Sequence, residues 1–327
     1  MQYLETVETV NNLLSTNTEW IARYVGYADK INNNLSTYIK GRKRFRIQDP
    51  LYLYTCVSNL LNTHTLNYDL RFLGQSIACI KISNNNVIIH TKKAQKKSNQ
   101  KYFSIGVSLD EEEWQSYMAK KFRSAFNKCK SIHGRSNEHK IEAGLLREFQ
   151  KKDGRAKSLR NIQPVVLANC FFQMCTPVTA SLKDINYSAA KGGGIDILAR
   201  VKHVNNSVRL CVMELKDENN NSEPPQKVMT QAVAYATFIA RLLRSESGNK
   251  WYKLFGFSGD VPKELIIDTS IVMPLPSLGE REDFAKERIK VMEDTYIELY
   301  SLYFRVKENF LGRISYEFEG SLKDEML

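Results

Sequence analysis

Residues 192–216, GGGIDILARVKHVNNSVRLCVMELK, read as a β-hairpin that carries a carboxylate at each open end. Side chains alternate along a strand, so Leu210, Val212, Glu214 and Lys216 share one face while Cys211, Met213 and Leu215 share the other. Both faces stay apolar until the strand ends, the pattern of a central strand covered on both sides with a polar tip. On the preceding strand Asp196, Leu198 and Arg200 share a face. Asn205-Asn206 supplies the turn signal. A turn centred on those two residues sets Asp196 opposite Leu215, one step from both Glu214 and Lys216. A strict two-residue turn would leave Asp196 on the wrong face, so the pattern predicts an odd-length loop or a bulge. The glycine run 192–194 gives the backbone freedom for such a distortion.

Two carboxylates and a lysine gathered at one strand tip are the groups that metal-dependent cleavage of a phosphodiester needs. Mg²⁺, or Mn²⁺ in its place, accepts one or two carboxylates at about 2.0–2.1 Å and keeps waters, leaving room for a substrate phosphate. Asp196 and Glu214 are the expected ligands. The ion would polarise the phosphoryl oxygen and acidify a bound water, and Lys216 would orient that water or offset the developing charge. An acid-x-Lys triplet alone carries little information, since Glu138-His139-Lys140 is another. An ordinary hairpin with solvated end charges has the same alternation.

Asp196 with Glu214-Leu215-Lys216, at this spacing, resembles the PD-(D/E)XK nuclease superfamily, whose fold is restriction-endonuclease-like. The resemblance covers residues 137–244. It implies an acidic residue on a helix before the core strands, and residues 137–152 fit that place, with Glu142 as the third carboxylate and metal ligand beside the stripe Ile141, Leu145 and Phe149, and Glu138 and Glu148 as alternatives. It also implies functional residues on the helix after the lysine strand, where Gln231 and Tyr235 stand four apart. Gln231 would join the catalytic groups and Tyr235 would meet nucleic acid. Ile195 stands where many members have proline. Residues 162–181 would supply the strand before the hairpin. The implied substrate is DNA, in a restriction, phage-defence or mobile-element setting, and cutting both strands from one site per chain would call for a homodimer.

Composition sets the frame. The 327 residues are long enough for two domains, and a hydrophobic content of 43% is that of a folded chain. No apolar leader and no run of 18 apolar residues is present, so the expectation is a cytoplasmic protein without a membrane partner. Six cysteines without a C-x-x-C pair read as reduced thiols. Residues 1–140 hold 21 Lys+Arg against 11 Asp+Glu, a charge of +10, whereas the remainder is +1. Such a field attracts polyanions. Lys40, Arg42, Lys43, Arg44 and Arg46 form one cluster and Lys92, Lys93, Lys96 and Lys97 another, and both are expected to contact nucleic-acid phosphates.

The expected fold is α/β: a basic N-terminal α+β domain over 1–130, a linker, and over 135–327 a restriction-endonuclease-like core with a mixed central sheet flanked by helices. Helices are expected over 3–32, 51–62, 110–130 (capped by Asp110 and Glu113) and 280–293. Strands are expected over 102–107 and 265–273, with hairpins turning at 84–86 and 309–312. The lysines at 92–101 read as a polar loop. The alternative to a nuclease is a catalytically silent nucleic-acid-binding protein on the same fold. A phosphate-binding loop at Lys191-Gly192-Gly193-Gly194 is excluded because no Gly-Lys-Ser/Thr follows.

Overall fold

The computed structural model describes residues 2–56, 67–83, 86–129, 144–145, 148–149, 161–180, 184–189, 192–216, 224–275, 281–284, 286–308 and 314–324. The chain forms two compact units that interleave in sequence. One comprises residues 29–157 with 166–172, and the other residues 1–28, 158–165 and 173–327. This differs from a division at 130–135, and helix α1 (Gln2–Thr16) gives the reason. Its buried stripe Tyr3, Val7, Val10 and Leu14 recurs at helical spacing and packs on the helix Pro225–Leu243, so the N-terminus belongs to the C-terminal sheet. Helix α2 (Glu19–Arg42) follows after a break at Asn17–Thr18, where Asn17 Nδ2 donates to the Leu13 carbonyl at 2.8 Å. The expected single stretch 3–32 is therefore two helices, the second running on to the basic cluster.

The interleaving sharpens the charge asymmetry. Residues 29–157 and 166–172 carry 25 Lys+Arg against 11 Asp+Glu, and the other unit 22 against 25. The net charges are +14 and −3.

In the basic unit, β1 (Leu51–Cys56) is a strand over the first half of the helix expected at 51–62, whose remaining residues lie outside the described ones. Its Leu-Tyr-Leu-Tyr-Thr run is aromatic and buried throughout, which suits a pleated interior better than a helix face. β2 (Asn67–Phe72), β3 (Gln75–Ser83) and β4 (Asn86–His90) continue antiparallel, with Ser83 opposite Asn86 as the turn signal predicts and a further turn at Leu73-Gly74. Helix α3 (Lys93–Phe103) replaces the expected lysine loop and takes in the first two residues of the strand expected over 102–107, the rest of which has no regular structure. It docks through amides: Gln95 Nε2 donates to Ser76 Oγ at 2.7 Å and Asn99 Nδ2 to the Ile77 carbonyl at 3.0 Å. Ser104, at φ 54°, ends it in the left-handed region. β5 (Glu112–Glu113) pairs with β4, so the next helix, α4 (Tyr117–Lys128), starts later than expected, capped by Ser116 Oγ accepting from Ala119 N at 3.1 Å. Its buried stripe is Ala119, Phe122 and Phe126, while Met118 is exposed.

β6 (Ile162–Pro164) belongs to the other unit, while β7 (Val166–Leu167) and β8 (Cys170–Gln173) complete the basic unit's sheet, whose order is β5-β4-β3-β2-β1-β8-β7. The expected continuous strand over 162–181 is thus shared between the two units.

In the second unit β9 (Val178–Ala180) and β10 (Ile185–Tyr187) form a small pair. The hairpin strands β11 (Ile197–Lys202) and β12 (Val208–Leu215) are followed by α5 (Pro225–Leu243) and α6 (Gly248–Leu254). β13 (Leu265–Pro274) returns parallel to β12, and α5 packs against both. Pro at the start of α5 suits a position with no amide to satisfy, and the helix is buried on nearly every side. β14 (Arg288–Met292) stands where a charged helix was expected over 280–293: Ile289 and Val291 are buried and alternate with Arg288 and Lys290, a period of two. β15 (Thr295–Glu308) and β16 (Ile314–Glu319) form the expected terminal hairpin, and α7 (Ser321–Asp324) closes the described chain. The sheet order is β14-β15-β13-β12-β11-β6 with β16 on β15, a mixed sheet with helices packed on it. No helix among the described residues is long and apolar enough to cross a membrane.

Candidate active site at the tip of the central hairpin

The β11–β12 loop is odd in length. His203 N donates to the Ser207 carbonyl at 2.9 Å and encloses Val204, Asn205 and Asn206. Asn206 takes φ 63°, the left-handed residue that closes a three-residue loop, and Asn205 Oδ1 accepts from Ser207 N at 2.9 Å. Ile197 therefore pairs with Met213 and Leu198 with Val212. The pairing ends at Ile197–Met213, so Asp196 and Glu214 are the next residues along the two chains, Asp196 lying in a bend just before β11, and the register is one residue short of the one a two-residue turn would give. Asp196 is nevertheless tied to Leu215, whose amide donates to Asp196 Oδ2 at 2.9 Å.

Glu214 is 1% exposed and Lys216 8%. A carboxylate taken out of water needs compensating charge, and Lys216 Nζ, 3.5 Å from Glu214 Oε1, supplies it. Beyond the strand end the Lys216 amide still donates to the Val272 carbonyl of β13 at 3.2 Å, which fixes where the lysine leaves the sheet. The parallel pairing of Glu214 with Ile271 and Leu215 with Val272 holds the tip in place.

Helix α5 brings Gln231 and Tyr235 to the same place. Gln231 Nε2 donates to Tyr235 Oη at 3.4 Å. Burial, then the nearby charge of Glu214, pushes the Tyr235 phenol up to about 12, and Asp196 contributes in the same direction. Tyr235 is only 3% exposed, so its expected contact with nucleic acid is not available at the surface; its ring instead fills the space beside Gly193. A Cβ on Gly193 would collide with the Tyr235 hydroxyl, and one on Gly192 with the Thr176 carbonyl. The glycine run is thereby pressed against residues 174–178, through Thr176 N to the Gly193 carbonyl at 2.9 Å and Gly193 N to the Val178 carbonyl at 3.0 Å. These bonds set the position from which Asp196 enters the strand.

Asp196 and Glu214 are hard oxygen donors of the kind Mg²⁺ takes, and two carboxylates are within its usual number. Among the described residues no group of three or more His, Cys, Asp or Glu is placed to hold a metal. Glu142, expected as the third carboxylate, lies outside the described residues; Leu145 and Phe149 of its stripe are buried.

The basic residues divide by environment. Lys40, Lys43, Arg44 and Arg46 are exposed, as are Lys92, Lys93 and Lys97. Arg42 is the exception: it is 6% exposed, donates from Nη1 to the Phe45 carbonyl at 2.7 Å and stands over the Phe45 ring, so it braces the chain instead of offering a phosphate contact. Lys96 is paired with Asp110 at 2.8 Å. Cys79, Cys129, Cys170, Cys175 and Cys211 are free thiols.

One buried constellation escaped the sequence reading. On the sheet face opposite Glu214, Asp268 of β13 lies beside Glu298 of β15, two acids in register. Their repulsion is offset by His203 Nε2, 2.6 Å from Asp268 Oδ2, and by Arg209, whose Nη1 is 2.5 Å from Glu298 Oε2 and 3.4 Å from Asp268 Oδ1. Arg288 Nε and Tyr300 Oη each donate to Glu298 at 2.9 Å. Burial pushes the Asp268 carboxyl up, while His203 and Arg209 oppose that shift. Its traces in the sequence are an acid inside each of two otherwise largely apolar runs, Asp268 in LIIDTSIVM and Glu298 in YIELYSLYF.

The chain matches no protein-family model, and no curated protein and no solved structure shows significant similarity to it.

Proposed function

We propose that the chain is a Mg²⁺-dependent nuclease acting on DNA, with its catalytic centre at the hairpin tip and the arrangement of the PD-(D/E)XK superfamily. The observation that carries this reading is the hairpin register, whose last pair, Ile197 with Met213, has Asp196 and Glu214 as the next residues along the two chains, with Lys216 3.5 Å from Glu214. The parallel return of β13 through α5, with Gln231 and Tyr235 at the tip, supports it. Asp196 and Glu214 would hold the ion, with Glu142 as a third ligand. The metal would supply Lewis-acid polarisation of the phosphate and a water of lowered pKa. Lys216 would position that water, and Gln231 would fix Tyr235 beside Glu214. The basic unit, at +14, would supply sequence-independent affinity for the polyanion.

Purified protein incubated with duplex DNA is expected to cleave in Mg²⁺ or Mn²⁺ and to stop with EDTA. Lys216→Ala is expected to lose about a hundredfold in turnover while its affinity for DNA, measured by anisotropy in Ca²⁺, stays within about threefold. Equal loss of turnover and affinity would recast Lys216 as a phosphate-binding residue. A catalytically silent nucleic-acid-binding protein is the second reading, and the Lys216–Glu214 ion pair favours it, since it already neutralises one of the two carboxylates. Tight DNA binding with no cleavage in either metal would select it.

A further inference from the structure

The loop after α2, the turn before α4 (Trp114, Gln115) and the second half of α4 (Arg123, Asn127) enclose a groove of about 420 Å³, all of it within the basic unit. That volume lies within the range of small-ligand sites, roughly 300–1,000 Å³. Lys43, Arg44, Arg46 and Arg123 supply four cations to its lining, and no carboxylate among the described residues lines it. Its floor is apolar and aromatic: Phe45, Ile47, Leu51 and Trp114 are all buried, and Phe45 and Trp114 lie 5.1 Å apart.

Arg123 is the informative residue. Its guanidinium lies 3.8 Å from the Trp114 ring centroid and donates from Nη1 to the Trp114 carbonyl at 2.8 Å, so one face of the planar cation is already stacked and its orientation is set. Burial alone lowers its pKa to about 10, which leaves it charged at neutral pH. A half-buried cation is costly unless an anion compensates it, and no ion pair to Arg123 is formed among the described residues. Around it, Gln48, Gln115 and Asn127 add exposed amides that can donate and accept.

We propose that this groove binds one phosphorylated nucleotide unit. The phosphate sits among Lys43, Arg44 and Arg46, and the base stacks on the guanidinium of Arg123, with the amides at its edge. Bases of single-stranded nucleic acid stack on aromatic rings or arginine planes while cations contact the phosphates, and this groove offers the arginine plane and the cations. The unit is either a nucleotide within a single strand or a free nucleotide, and the chemistry of the groove is the same for both. This inference rests on the proposed affinity of the basic unit for nucleic acid, but not on cleavage.

Calorimetric titration of the full-length protein tests it, with AMP, a short single-stranded oligonucleotide blocked at both ends, and inorganic phosphate as separate probes. Arg44→Ala/Arg46→Ala and Arg123→Lys are each expected to weaken nucleotide or oligonucleotide binding about tenfold or more, Arg123→Lys because the ammonium keeps the charge and loses the stacked plane. The control Lys120→Ala/Lys121→Ala, on exposed positions of α4, is expected to change binding by less than about threefold. Binding of AMP alone identifies a free-nucleotide site, and binding of the blocked oligonucleotide a single-strand site. Unchanged binding in both groove variants, equal loss in the control, or phosphate competing as well as AMP would overturn the proposal. Cleavage by the wild-type chain in Mg²⁺ or Mn²⁺ separates the two readings: a wild-type chain that never cleaves, with groove variants that lose binding, leaves the groove standing and removes the nuclease.

Discussion

Glu214→Gln is expected to lower Mg²⁺-dependent DNA cleavage by about a hundredfold or more, the rate equivalent of losing a few kcal/mol of Lewis-acid stabilisation. Asp196→Asn is expected to behave the same way. Both variants keep side-chain volume, which matters because Glu214 is fully packed and Asp196 Oδ2 accepts the Leu215 amide. The carboxamide oxygen introduced by Asp196→Asn can still accept that hydrogen bond, so thermal unfolding should shift by only a few degrees, the equivalent of about 1 kcal/mol in a domain of this size. Cleavage by either variant at the wild-type rate would remove the hairpin tip from the mechanism, and loss of cleavage together with loss of fold would call for the pair to be read as structural.

The second large effect concerns stability. Asp268→Ala should destabilise the protein by about 3–5 kcal/mol, because it leaves His203 buried and strips Arg209 of one of its two acids. Asp268→Asn keeps a hydrogen-bond acceptor beside His203 and should cost less, about 1–3 kcal/mol. Urea unfolding of the three proteins measures the difference. A change under about 1 kcal/mol for the alanine variant would mean that the cluster is hydrated or rearranged, and that Asp268 and Glu298 do not share the row that the register gives them.

The parts of the fold that were legible share one property: their signal lies in consecutive residues. Leu210 to Leu215 is apolar on both faces and ends in a charged tip, which marks a central strand wherever it packs. The prolines opening α5 and the alternation of β15 are equally local. Helix α3 was illegible because Gln95 and Asn99, polar in any pattern, are two of its three buried residues and spend their amides on β3. At β14 the charges of the surrounding 280–293 stretch mask the alternation of Ile289 and Val291, so the sequence has the look of a charged helix.

At the site, the identities of Asp196, Glu214 and Lys216 could be read, and so could the need for an odd loop; the register itself depends on Asn206 adopting positive φ, which Asn-Asn permits at either position. Arg42 and Arg46 are indistinguishable in sequence, and only the turn of the chain after α2 buries one and exposes the other. The Asp268–Glu298–Arg209 cluster draws on three strands far apart in the chain, so no local pattern announces it. The same holds for the stack of Arg123 on Trp114, two residues expected on one helix that turn out to face each other across a turn.

The most direct test of the metal site is anomalous scattering from crystals of the full-length protein grown with Mn²⁺. The predicted result is a single strong peak between the carboxylates of Asp196 and Glu214, at about 2.1 Å from an oxygen of each. Density for Lys216 Nζ between those two carboxylates, with no peak there at saturating Mn²⁺, would contradict it.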